Sequence, residues 1–443
     1  MLLKYRKTVY GLSLAISFVL FFYYLLRNYD INYFDEIGYI NFSKQILEVG
    51  LLNINESLRT YLLPLLISLV RIFTGVEIQY AKIIISILQY VLYIYTISMI
   101  GRYLFLYTQN SIIYYSIIVF GFLNPYLIQS TTLLLTDLLA SCLITISIFT
   151  TIFNSFDKDR YYYIVLFCSF SAVMVRPSSL ILVPCIFALL ILRKIMLKEL
   201  SYSKGIFAGL ISCVVFIPQL YNNIHNYSHW TILIHDNLYE FQSRLAATYL
   251  KYGTVVIPGQ VPQLVFQTPF TFDAGTNIYD LIFKNTPAFL LTYFTHIFGV
   301  FDWGYIDTYI KDFYPISRIV GSVFLYTYWI TSVYGAVYFI RKGDLARRDR
   351  FILSSIMIPF VLYVLFIGTT VIESRFGYPL FFLFLPFFGY GVYSHFMVVK
   401  EKMPNMIWPI IRICLVYVLV IVLVFILSFW LDSTTDRIYW FNY

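Results

Sequence analysis

Apolar runs of bilayer length recur along the chain, most of them separated by short polar gaps. They cover residues 9–26, 78–100, 111–128, 131–153, 161–175, 178–192, 205–221, 318–340, 351–371, 376–396 and 408–430. Roughly 20 apolar residues in an α-helix cross a hydrocarbon layer, so the pattern predicts an all-α polytopic membrane protein with about 11 transmembrane helices.

Two gaps are long, 27–77 and 222–317. In the first, Ile40 to Leu52 carries apolar residues at helical spacing with Asn41, Lys44, Gln45 and Glu48 between them. That pattern suits a helix lying along the membrane interface. Thr60 to Thr74 is apolar but too short to span, and Arg71 interrupts it, which also puts it at the surface. The second gap mixes polar and aromatic residues with Pro258, Pro262, Pro269 and Pro287. Thr248 to Phe272 reads as irregular with short strands, and Asn285 to Val300 as a half-embedded helix. With no internal repeat or low-complexity tract, the chain reads as a single transmembrane domain, 1–443, with two excursions on one side.

Composition agrees with this pattern. The 443 residues are 60% hydrophobic and only 12% charged, with a mean hydropathy of +0.76. Soluble domains are roughly 45–50% apolar. The net charge of +8 does not mark a nucleic-acid binder, because the basic residues are not gathered on one face. Lys4, Arg6 and Lys7 precede the first run; later clusters fall at Arg102, Lys158 and Arg160, Arg193 to Lys204, Arg341 to Arg350, and Lys400 and Lys402. Alternate gaps thus hold the positive charge, which predicts a cytoplasmic N-terminus and both long excursions outside. The first run lacks a small-residue cleavage site and reads as an uncleaved helix. All five cysteines lie in apolar runs without a Cys-x-x-Cys pair and read as small core residues.

On this topology the unusual polar residues gather at the outer face. Asp35-Glu36 follows the first run, Asn124-Pro125 and Thr131 to Asp137 lie around the third and fourth, and Arg176-Pro177-Ser178 separates the fifth and sixth. Glu373-Ser374-Arg375 joins the ninth and tenth. Charges beside hydrocarbon are costly to place, which makes each a candidate for function. Each also has a structural reading: a solvated loop for Asp35-Glu36, an internal hydrogen bond for Asp137, a snorkelling side chain for Arg176, and mutual pairing for Glu373 and Arg375. Chemically, two outer arginines suit a lipid-phosphate headgroup. A carboxylate beside them can deprotonate a hydroxyl as it attacks a sugar carbon. No P-loop or Gly-x-Gly-x-x-Gly run is there to hold a nucleotide sugar.

The run Asp35-Glu36-x-x-Tyr39, followed by a helix over Ile40 to Gly50, resembles the first outer loop of the C-type membrane glycosyltransferases. That group includes protein O-mannosyltransferases and lipid A aminoarabinose transferases. Arg59 to Gly75 is similar to the loop's second juxtamembrane helix. Leu134-Leu135-Thr136-Asp137, Arg176-Pro177 and Glu373-Ser374-Arg375-Phe376-x-x-Pro379 match recurring positions, although Thr136-Asp137 replaces the commoner Thr-Glu. The resemblance runs from residue 9 to about 395, and the Tyr/Phe/Ile-rich composition looks like the prophage-encoded serotype-converting O-antigen glucosyltransferases.

The resemblance implies an active site at the periplasmic face of a bacterial inner membrane. It implies an undecaprenyl-phosphate-linked glucose donor, a lipid-linked glycan acceptor, and functional partnership with a flippase and a donor synthase. Asp35 takes the role of base with Glu36 as the second catalytic candidate. Arg176 and Arg375 contact the donor phosphate, supported by Tyr39, Asp137 and Glu373. No cofactor is required, and no metal-ligand set is implied, although two adjacent carboxylates leave room for a divalent cation.

Three alternatives use the same pattern differently. A transferase with a lipid A or protein acceptor keeps the same site. A lipid-linked oligosaccharide flippase predicts two related halves or paired broken helices, and neither is visible in the sequence. An O-antigen polymerase shifts the weight to Arg244, His225, His229 and His235 in the second excursion. Tyr239, Trp303 and Tyr305 are candidates for stacking on sugar rings, and equally for an interfacial aromatic belt.

Overall fold

The computed structural model describes residues 2–75, 77–233, 238–255, 263–267, 270, 273, 275–302, 314–341, 345–401 and 407–433. The chain begins with α1 (Leu2–Asn28), α2 (Phe34–Val49), α3 (Leu62–Thr74) and α4 (Ile78–Thr108). Next come α5 (Ser111–Phe122), α6 (Pro125–Ser130), α7 (Thr136–Phe153), α8 (Arg160–Val175), α9 (Leu182–Leu197), α10 (Tyr202–Ser212) and α11 (Ile217–Tyr227). The second excursion holds α12 (Leu238–Thr248), β1 (Tyr249–Val255), β2 (Gln263–Gln267), α13 (Ile278–Lys284) and α14 (Thr286–Phe301). Finally α15 (Arg318–Arg341), α16 (Arg347–Ile367), α17 (Tyr378–Glu401) and α18 (Ile407–Ser433) return to the bundle. Among the described residues, nine helices are long and apolar enough to cross a membrane. The protein is an all-α polytopic membrane protein.

Several boundaries differ from the apolar pattern for local reasons. The run at 111–128 breaks at Asn124-Pro125, where the Asn124 carboxamide accepts from the amides of Tyr126 and Leu127 and caps α6. Pro125, which has no N–H to satisfy, takes the first helical position. α8 stops at Val175 because a residue before proline is pushed out of the helical region. Arg176 is accordingly extended, with φ −143° and ψ 112°. α2 begins earlier than its apolar spacing suggests, so Asp35 and Glu36 occupy its first turn instead of a loop. α12 is a helix that the polar sequence does not announce. β1 and β2 pair antiparallel, Tyr249 opposite Gln267, within the stretch expected to hold short strands.

The core is aromatic and unusually close at one seam. Tyr328 of α15 stacks on Phe381 and Phe388 of α17, with ring centroids 4.3 and 5.2 Å apart. A Cβ on Gly335 would collide with the Phe387 carbonyl, and one on Gly391 with the Thr331 carbonyl. The missing side chains let the two helix backbones touch. By contrast α18 is peripheral, with none of its apolar window buried. Ser428 holds it by donating to Asp302 at 2.6 Å, and Tyr417 by sharing a 2.7 Å hydrogen bond with Thr331.

Alternating helix directions sort the polar groups to two ends. One end collects Arg193 with Glu199, Lys204 with Asp159, and Tyr107 with Asp349. The opposite end collects Asp35, Asp137, Arg176, Glu373 and Arg375. It is the end to which both excursions attach.

Candidate functional site

Arg375 is the centre of the second cluster. Its Nε donates to Glu373 Oε2 at 2.7 Å, its Nη1 to Asp137 Oδ2 at 3.3 Å, and its Nη2 to Asp35 Oδ2 at 3.1 Å. Arg176 pairs with the other oxygen of Asp137, and its Nε donates to Ser178 Oγ at 2.8 Å. The Arg176 guanidinium also lies 4.4 Å from the centre of the Phe376 ring, a cation–π distance.

Local backbone chemistry places these groups. Pro177 ends α8, so Arg176 leaves the helix axis extended and turns inward. Glu373 is likewise extended, and a short 3₁₀ turn over Ser374–Gly377 leads into α17, whose second residue is Pro379. Asp137 stands in the first turn of α7 and Asp35 in the first turn of α2. Both carboxylates therefore also meet the positive end of a helix.

The members differ in access. Asp137 is 2% exposed and Arg375 9%, whereas Asp35 is 28% exposed. Beside Arg375, on the side away from Asp35, a small cleft is lined by Asp137, Ser141, Arg176, Ser179, Tyr363 and Arg375. Burial pushes the Glu373 carboxyl above the ordinary 4.5; Arg375 opposes that shift, and Asp35 and Asp137 add to it. Burial, then Asp35, raises the Tyr39 hydroxyl, which stays protonated near Thr136 Oγ1 at 3.5 Å.

Glu36, the second catalytic candidate, points elsewhere. It is fully buried, and its carboxylate accepts from Lys82 Nζ at 2.9 Å, the Tyr33 amide at 2.7 Å and the Leu134 amide at 2.5 Å. Its geometry is that of a brace joining α2, α4 and the turn before α7. The Asp35 and Glu36 carboxylates engage different partners, and Asp35 faces two guanidinium groups. Among the described residues, no group of three or more His, Cys, Asp or Glu is placed to hold a metal ion.

Some residues that shape the site carry no motif. Arg59 lies 3.7 Å from Asp35 Oδ1 and 5.5 Å from the centre of the Tyr39 ring. A Cβ on Gly38 would strike its guanidinium. Lys82 did leave a signal, since a lysine inside an apolar run needs a counter-charge. His296, fully buried in α14, has its ring nitrogens 2.9 Å from the Gly368 carbonyl and 2.7 Å from that of Tyr249. It ties the segment leading to Glu373 to the second excursion.

The remaining candidates are dispersed. Tyr239 stacks on Phe366 at 5.6 Å and shares a 2.9 Å hydrogen bond with Thr369, four residues before Glu373. Arg244 pairs with Glu240 one turn away on α12, and His225 stacks on Tyr221 at 5.8 Å. The His229 amide donates to the Asn223 carbonyl at 3.0 Å. His235, Trp303 and Tyr305 lie outside the described residues. No protein-family model matches the chain, and no curated protein is significantly similar to it.

Proposed function

We propose that the protein is a glycosyltransferase of the C-type, using a polyprenyl-phosphate sugar donor. The observation that carries this reading is the meeting of a partly exposed carboxylate, Asp35, with Arg176, Arg375 and Asp137 at one end of a membrane bundle. The donor phosphodiester suits the guanidinium groups of Arg176 and Arg375, which match phosphate oxygens in pairs. Asp35 takes the proton of the acceptor hydroxyl as that oxygen bonds to the sugar's anomeric carbon. The bond from that carbon to the phosphate oxygen breaks, and its electron pair leaves on the phosphate. The added negative charge is stabilised by the guanidinium groups of Arg176 and Arg375. Glu36 acts on this chemistry only by fixing α2.

The finer reading follows the family resemblance. The donor is undecaprenyl-phosphate glucose, the acceptor a lipid-linked O-antigen repeat unit, and the site faces the periplasm of an inner-membrane protein with a cytoplasmic N-terminus. A flippase and a donor synthase supply the substrate. Purified protein in vesicles containing undecaprenyl-phosphate [¹⁴C]glucose and a lipid-linked O-antigen acceptor tests it. Label should move to the acceptor with wild type and stay on the donor with Asp35→Asn. Absence of transfer from glucosyl, galactosyl and mannosyl donors alike would remove the enzyme reading.

A further inference from the structure

We propose that the chain of ion pairs Arg59–Asp35–Arg375–Asp137–Arg176 is an anion-released latch on Asp35, in which Arg59 is a positioning residue. The proposal rests on the preceding reading only in taking the anion to be a phosphate.

Arg375 donates to three carboxylates at once, on Asp35, Asp137 and Glu373. The group best placed to bind phosphate is therefore engaged by acids. Among the described residues, Arg59, Arg176 and Arg375 face Asp35, Asp137 and Glu373. An entering phosphate binds only where a carboxylate yields its donor.

The three carboxylates are not equally held. Asp137 is 2% exposed and bonded to both Arg176 and Arg375. Glu373 is two residues from Arg375, 2.7 Å from its Nε, and buried. Asp35 comes from a separate helix and is 28% exposed. A partly exposed ion pair is screened by solvent and holds less firmly than hydrogen bonds to charged groups in a protected site. The Arg375–Asp35 bond is the one a phosphate displaces.

Arg59 decides where Asp35 then goes. It faces the other carboxylate oxygen, Oδ1, from 3.7 Å, beyond hydrogen-bond length. Its guanidinium lies flat over α2 because Gly38 offers no side chain to lift it. After Arg375 turns to phosphate, Arg59 still holds Asp35 in place by charge, from beyond hydrogen-bond length. A carboxylate flanked by two cations is a weak base, and removing one raises its affinity for a proton. Donor binding thus arms the base, so the donor binds productively before the acceptor.

The probe is decyl phosphate, a sugar-free phosphate monoester, with decanol as the control. Wild-type protein in detergent is labelled with a carbodiimide and glycine ethyl ester, and Asp35 and Glu36 are read separately by peptide mass spectrometry. Decyl phosphate should raise labelling of Asp35 several-fold and leave Glu36 unlabelled, while decanol changes neither. Arg375→Gln should show the high level without any probe; the wild-type comparison stands alone if that variant does not fold. Arg59→Gln should lower kcat with donor KM unchanged, with partial recovery in Arg59→Lys. Binding of decyl phosphate, seen as a thermal shift, without unmasking of Asp35 overturns the latch and spares the phosphate site. Failure of decyl phosphate to bind removes both.

Discussion

Asp35 and Arg375 are 340 residues apart in the sequence and 3.1 Å apart in space. Their contact requires α2 to fold back on the bundle and the chain to run extended at Glu373 before it turns into α17. The site is thus a product of the whole fold, and its members respond to substitution in different ways.

The two adjacent acids are expected to separate cleanly. Asp35→Asn should lower sugar transfer by about 10²–10⁴-fold, the usual worth of a general base, with thermal stability unchanged. Glu36→Gln leaves Lys82 as an uncompensated buried charge and should cost about 3–5 kcal/mol of stability. Adding Lys82→Met should restore folding without restoring the ion pair. Transfer assays beside thermal unfolding in detergent check this; loss of activity without loss of stability in Glu36→Gln would return Glu36 to the chemistry.

Arg176 and Arg375 are expected to act through the donor. Replacing either with Lys removes the planar fork while keeping the charge. A loss of about 1.5–3 kcal/mol per charged hydrogen bond corresponds to roughly 10–100-fold in kcat/KM for the donor. Kinetics at varied donor concentration should place the effect there, with acceptor KM little changed.

The seam between α15 and α17 predicts a purely structural effect. Gly335→Ala or Gly391→Ala puts a methyl against a backbone carbonyl that has no room to yield. Overpacking of this kind costs about 1–3 kcal/mol or more. Unfolding in detergent should report it, and an equal substitution at Gly11, which meets nothing within 4 Å, should be silent.

Glu373 predicts a pH dependence of definite sign. Its folded-state carboxyl titrates above the ordinary 4.5 because burial outweighs Arg375. The stability tied to its protonated form is complete below that ordinary value and is lost as pH rises through the higher folded value. Glu373→Gln, which keeps a neutral group there, should gain in Tm relative to wild type as pH rises through that window. A Tm difference that is flat with pH would contradict this assignment.

The sequence made the class of fold legible because every span carries its own apolar signal. It also showed Asp137, Arg176, Glu373 and Arg375, since each interrupts or borders such a run beside a turn or a proline. Other features depend on partners that no local pattern encodes. Arg59 resembles any interfacial arginine until Gly38 and Asp35 are seen beneath it. Glu36 resembles its neighbour until α4 brings Lys82 against it. The start of α2 was obscured because its first turn is stabilised by a bond from the Tyr33 amide to Glu36 rather than by apolar spacing.

The Glu36–Lys82 brace also fixes where the reactive end of α2 can sit. Lys82 lies in the first turns of α4 and is fully buried, and a lysine at such a place needs a counter-charge. Glu36 supplies one from 2.9 Å. Asp35, the adjacent residue along α2, therefore takes its position from an ion pair anchored in another helix.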